Sequence, residues 1–136
     1  MDLESRTFGV VVDTSGSMSA KQIGMALGSI ASYAAAKDVP FVRIIFCDAK
    51  ATDAGYMAPE DIAGRVKVTG RGGTILQPGV DCLEQANDFP KDGPILIITD
   101  GEIENDLKVR REHAFLLPRG NRLPFRARGE VFYFRE

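Results

Sequence analysis

Three short stretches of this 136-residue chain carry side chains that could act together on a ligand. Asp13-Thr14-Ser15-Gly16-Ser17 places oxygen-bearing side chains at positions 13, 15 and 17, in a tight loop just beyond an apolar run. Alternate side chains of an extended loop fall on one side and can converge on one point. Gly70-Arg71-Gly72-Gly73-Thr74 follows later, its glycines permitting close backbone approach and Thr74 adding a hydroxyl. Asp100 closes a second apolar run. Asp13, Ser15, Ser17, Thr74 and Asp100 offer oxygens only, with no imidazole or thiolate, which selects a hard cation. Mg²⁺ fits best on ligand type and abundance, and Mn²⁺ or Ca²⁺ would use the same donors. Hydroxyls outnumber carboxylates in this set, so the ion's charge would be partly compensated. Water would complete its shell, and a partner's carboxylate could displace one water.

These residues need elements to hold them. Residues 8–12, Phe-Gly-Val-Val-Val, and residues 94–99, Pro-Ile-Leu-Ile-Ile-Thr, are continuous apolar runs of the kind found in strands covered on both faces. Each run leads into an aspartate, and neighbouring parallel strands would set the two carboxylates in one crevice at the carboxyl ends of the sheet, where open α/β sheets bind ligands. Ser19 with Gln22 reads as a capping box, and Ile23, Leu27, Ile30 and Ala34 recur at helical spacing, so a first helix is expected from about Ser19 to Lys37. Phe41 to Cys47 reads as a second strand. The polar stretch from Asp48 to Asp53 is expected to turn the chain into a short, weaker strand near Tyr56 and Met57, antiparallel to its neighbour. Pro59 to Gly64 could hold one helical turn. Pro78 suits the first turn of a second long helix with Val80 and Leu83 buried. A short helix is expected over Glu102 to Arg111, and Phe115 to Leu117 and Val131 to Phe134 read as the last two strands. The expected fold class is α/β: a three-layer α/β/α sandwich with a mostly parallel central sheet and one antiparallel edge strand, spanning residues 1–136 as one domain.

With the motifs placed on this frame, Asp13, Ser15 and Ser17 resemble the DxSxS element of the metal-ion-dependent adhesion site of von Willebrand factor A (vWA) domains. Thr74 and Asp100 look like its second and third elements. The resemblance implies a Rossmann-like vWA fold in which Ser15, Ser17 and Thr74 contact the ion directly, while Asp13 and Asp100 act largely through waters and hydrogen bonds to the hydroxyls. The Gly-Arg-Gly-Gly-Thr loop with Pro78 following, and Thr-Asp-Gly at 99–101, are most similar to the bacterial intracellular branch, which includes vWA-like domains attached to a metallopeptidase-like domain. The resemblance implies a binding module rather than an enzyme: its metal captures an Asp or Glu of a protein partner, such as an AAA+ ATPase or an attached or companion domain. The chain is shorter than typical family members after Asp100, which puts the rim of the site, and so partner choice, outside what the family transfers.

Composition narrows the remaining classes. A net charge of −2 argues against nucleic acid as the main partner. The segment from Arg119 to Glu136, with five arginines against two glutamates, reads as an exposed charged edge, with RNA binding the minor alternative. No stretch reaches the roughly 20 apolar residues of a membrane span, and no secretory signal is apparent, so a cytoplasmic protein is expected. Cys47 and Cys82 read as reduced and buried, His113 as a surface or helix-end residue, and Asp48, Asp53 and Asp81 as caps. The alternative function is a Mg²⁺-dependent phosphatase or phosphotransferase with Asp13 as nucleophile. A haloacid-dehalogenase-type site would want a second aspartate at position 15, which is serine. Nucleotide binding fares worse, because the glycine-rich loop lacks a P-loop lysine and position 75 is isoleucine where a GxGxxG pattern needs glycine.

Overall fold

The computed structural model describes residues 7–14, 19–47, 51–62 and 75–134. Their elements in chain order are β1 (Gly9–Asp13), α1 (Ala20–Ala36), β2 (Val42–Cys47), β3 (Ala51–Met57), α2 (Pro59–Ile62), α3 (Gln77–Gln85), β4 (Ile95–Ile98), β5 (His113–Pro118) and β6 (Glu130–Phe134). The six strands form one sheet in the order β3-β2-β1-β4-β5-β6. Every pairing is parallel except β2 with the edge strand β3. This is the expected mostly parallel α/β sheet with an antiparallel edge.

The apolar runs are continuous because both faces of the sheet are covered. In β1, Val10 and Val12 join Ile23, Ala26, Leu27 and Ile30 of α1 in one core. Val11 faces the other way, into a second core with Leu76, Val80 and Leu83 around α3. Helix α1 begins as its sequence predicts: the Gln22 amide donates to the Ser19 hydroxyl and the Ser19 amide to the Gln22 side chain, both at 3.0 Å. Helix α3 lies close on the sheet because position 79 has no side chain; a β-carbon there would stand 2.9 Å from Val11 Cγ1.

Four local expectations need correction. Helix α3 is a short helix of nine residues. Its C-cap residue Ala86 turns extended, and Phe89 folds back into the core. No helix forms over Glu102 to Arg111; this segment turns at 105–106 and then lies against α3, with amides of Lys108 and Arg110 donating to side chains of Gln77 and Glu84. Ile103, Leu107 and Val109 supply its apolar contacts, so packing against α3 outweighed weak helical periodicity. Strand β3 starts at Ala51, earlier than expected, which places Asp53 inside the strand, beside a bulge and ion-paired with Arg43 rather than capping a turn. His113 opens β5 instead of ending a helix, its Nδ1 bonded to the Arg111 carbonyl and its ring edge-on to Phe115.

Both cysteines are free thiols; Cys47 is buried, whereas Cys82 is half-buried, and burial raises its thiol pKa. Among the described residues, no helix is long and apolar enough to cross a membrane. Over β4 to β6 the face on the α1 side is an open apolar groove of about 730 Å³, floored by Leu96, Ala114, Leu116 and Phe132.

Candidate metal centre

Strand β1 lies between β2 and β4, at the point where the chain's strand order reverses, and this is where an open α/β sheet forms a crevice at its carboxyl end. Asp13 is the last residue of β1 and is fully buried. Val12 pairs with Ile98, so the next residues, Asp13 and Thr99, stand side by side. The Thr99 hydroxyl donates to Asp13 Oδ2 at 2.8 Å and accepts from the Gly101 amide at 3.1 Å. Accepting from that amide leaves the hydroxyl proton for the carboxylate, so a neutral group orients Asp13 without cancelling its charge.

Asp100 follows Thr99 and is buried to within 4% of full coverage. Its Oδ1 accepts from the Glu102 amide at 3.0 Å, a local turn that sets its side chain, while the Asn121 amide group donates to its carbonyl at 2.9 Å. Gly101 takes φ 94°, a left-handed conformation suited to glycine. The Arg122 carbonyl fills the space a β-carbon would need, so the loop after β5 rests directly on the residue beyond Asp100.

The structure thus brings Asp13 and Asp100 to the carboxyl ends of adjacent strands. Ser15, Ser17 and Thr74 lie outside the described residues, as does Arg71, but the residues bordering them are anchored. Before positions 15–18, the Thr14 amide and hydroxyl both donate to the Cys47 carbonyl, at 2.9 and 3.2 Å. After them, Ser19 caps α1. Beyond Thr74, Cys47 Sγ donates to the Ile75 carbonyl at 3.1 Å. The Leu76 and Gln77 amides, at the start of α3, donate to the Glu104 carboxylate at 2.9 to 3.0 Å.

Sequence reasoning passed over three of these positioning groups. Thr99 was legible as part of Thr-Asp-Gly, where a hydroxyl before a turn is a recognisable signal. Glu104 caps α3 from 28 and 27 positions away, and Asn121 reaches Asp100 across 21, so no local pattern could have marked either. The donor set fits a hard cation: two buried carboxylates, one oriented by a hydroxyl and the other by a backbone amide, at the end of a sheet. Asp13 and Asp100 would be its described members, and Ser15, Ser17 and Thr74 would complete it.

A family model described as VWA-like domain (DUF2201) matches residues 8–111. No curated protein matches the chain. Among solved structures, proximal thread matrix protein 1 from the mussel byssus is similar in fold, with a TM-score of 0.66 at 16% sequence identity. The similarity covers 93% of this chain but 40% of the mussel protein's.

Proposed function

The chain belongs to the VWA-like domain (DUF2201) family, and on that premise we propose that it is a non-catalytic, metal-dependent protein-interaction module. In this reading Mg²⁺ binds among Asp13, Ser15, Ser17, Thr74 and Asp100, with Mn²⁺ or Ca²⁺ as chemical substitutes, and an Asp or Glu of a partner takes a remaining coordination position. The observation that supports the reading is the placement of Asp13 and Asp100, two buried carboxylates far apart in sequence, at the carboxyl ends of the adjacent strands β1 and β4, where the strand order reverses. Hard cations favour such oxygen donors, and burial strengthens their attraction to a positive ion. The Thr99 hydroxyl and the amide of Glu102 would hold the carboxylates in place before the ion arrives, the role outer-shell groups play around metal ligands.

The partner reading follows from similarity to vWA domains of the bacterial intracellular branch: an AAA+ ATPase or a companion domain presenting an acidic side chain, in the cytoplasm. The phosphotransfer alternative gains no support from the geometry or the comparisons.

Calorimetric titration of Mg²⁺ and Mn²⁺ into the wild-type chain and a folded Asp13→Ala/Thr74→Ala variant, with and without an acidic peptide, tests the proposal. Saturable wild-type binding that the variant loses and the peptide strengthens is the expected result. No wild-type binding of either ion, even with the peptide, would overturn it.

A further inference from the structure

From Ala114 to Gly129 the chain carries four arginines, Arg119, Arg122, Arg126 and Arg128, and no acidic residue. The fold divides them. Arg126 and Arg128 lie on the return toward the amino end of β6, whereas Arg119 and Arg122 lie in the loop that follows β5, at the same end of the sheet as Asp13 and Asp100.

This loop is fastened to the candidate metal centre. Asn121 bonds the Asp100 carbonyl, the Arg122 carbonyl packs on Gly101, and the Arg119 amide donates to the Phe134 carbonyl at 2.9 Å. Its backbone is therefore held from both sides while both arginine side chains are exposed. Among the described residues neither arginine is in an ion pair. With Gly120, Asn121 and the exposed Tyr133 they line a concavity of about 310 Å³.

We infer that Arg119 and Arg122 form a second anion-binding point beside the metal, so that the module reads an acidic protein segment with two spaced carboxylates rather than one. The inference rests on the metal reading proposed above. A partner carboxylate reaching the ion would come from a segment lying across the carboxyl ends of the strands. Two strand spacings separate β1 from β5, about 10 Å, which an extended peptide covers in roughly three residues. The second carboxylate would then meet guanidinium groups suited to bidentate pairing. The two positions differ in kind. The metal supplies a strong point charge common to the fold, whereas the arginines supply a positional test. Exposed charge pairs each add little, so the pair together should contribute roughly three- to tenfold in affinity, and salt should screen it.

The test uses the full chain in Mg²⁺ and fluorescein-labelled glycine-serine peptides carrying either one aspartate or two aspartates three positions apart. The two-aspartate peptide should bind roughly three- to tenfold tighter. Arg119→Gln/Arg122→Gln should erase that advantage and leave one-aspartate binding unchanged, and moving the aspartates to adjacent positions should also erase it. Chelation by EDTA should abolish one-aspartate binding. EDTA-sensitive binding with no advantage for the spaced pair, or an advantage that survives loss of both arginines, would overturn this inference while leaving the metal reading intact. EDTA-insensitive binding that still depends on the arginines would overturn the metal reading and keep the arginine point. A uridine oligoribonucleotide that binds through these arginines more tightly than the spaced peptide would overturn the assignment to an acidic protein segment.

Discussion

Two polar centres are built into this sheet, and they handle buried charge in opposite ways. At the β3 edge, Arg43 is enclosed by the protein's own carboxylates: its Nε and one terminal nitrogen pair with Asp53, the other terminal nitrogen lies 2.7 Å from Asp88 Oδ1, and its guanidinium stacks 5.0 Å from the Tyr56 ring centre. The Asp53 hydrogen bond outweighs burial and raises the guanidinium's pKa above its ordinary value, while Arg43 holds the Asp53 carboxyl below its own. At the end of β1, the carboxylate of Asp13 is steadied by the Thr99 hydroxyl, and Asp100 by a backbone amide. A centre that matches charge with charge inside the chain fastens an edge strand. One that steadies carboxylates with a hydroxyl and a backbone amide is, in the reading proposed above, where a cation from outside would supply the matching charge.

This contrast predicts that the two centres separate under mutation. The largest effect is expected for Asp13→Asn: Mn²⁺ affinity by calorimetry should fall by about two orders of magnitude or more. Its melting temperature in metal-free buffer should fall less than that of Asp13→Ala, because the amide oxygen can still accept from Thr99. Asp53→Ala should do the reverse, lowering stability by about 3 kcal/mol in urea titration through a buried guanidinium stripped of its main partner, with Mn²⁺ affinity unchanged. If Asp53→Ala also weakened the metal, the centres would not be independent.

Glu104→Ala sharpens the comparison from between them. Losing the carboxylate that caps α3 should cost about 1 kcal/mol. Because α3 starts just beyond Thr74, the same change should weaken Mn²⁺ roughly tenfold. Glu84→Ala frees the Arg110 amide at the far end of α3 and should leave the metal untouched. The smallest effect concerns acid. Asp53 has a folded pKa below its unfolded value of about 3.9, so its stabilisation is present above that value and lost as pH falls through the folded pKa. Thermal melts between about pH 5 and 2.5 should therefore show a shallower decline for Asp53→Asn than for the wild type; equal slopes would remove Asp53 from the acid response.

The apolar runs of β1 and β4, the capping box of α1 and the antiparallel pairing of the edge strand were legible in the sequence because local periodicity, end signals and a short polar turn carry them. Asp13 and Asp100 were legible as a pair for a related reason: each follows a strand buried on both faces, and such strands must lie near one another. The non-helical course of residues 102–112, the shortness of α3 and the placement of Asp53 inside β3 were decided only in the tertiary structure, since each depends on partners distant in sequence. The arginines show the division most plainly. Their number was evident from composition, but that Arg119 and Arg122 stand at the carboxyl end of the sheet, and Arg126 and Arg128 toward the other, follows from the parallel pairing of β5 and β6. The chain must return to the end of the sheet where the previous strand began before a parallel strand can pair, and that return carries one half of a basic stretch away from the other.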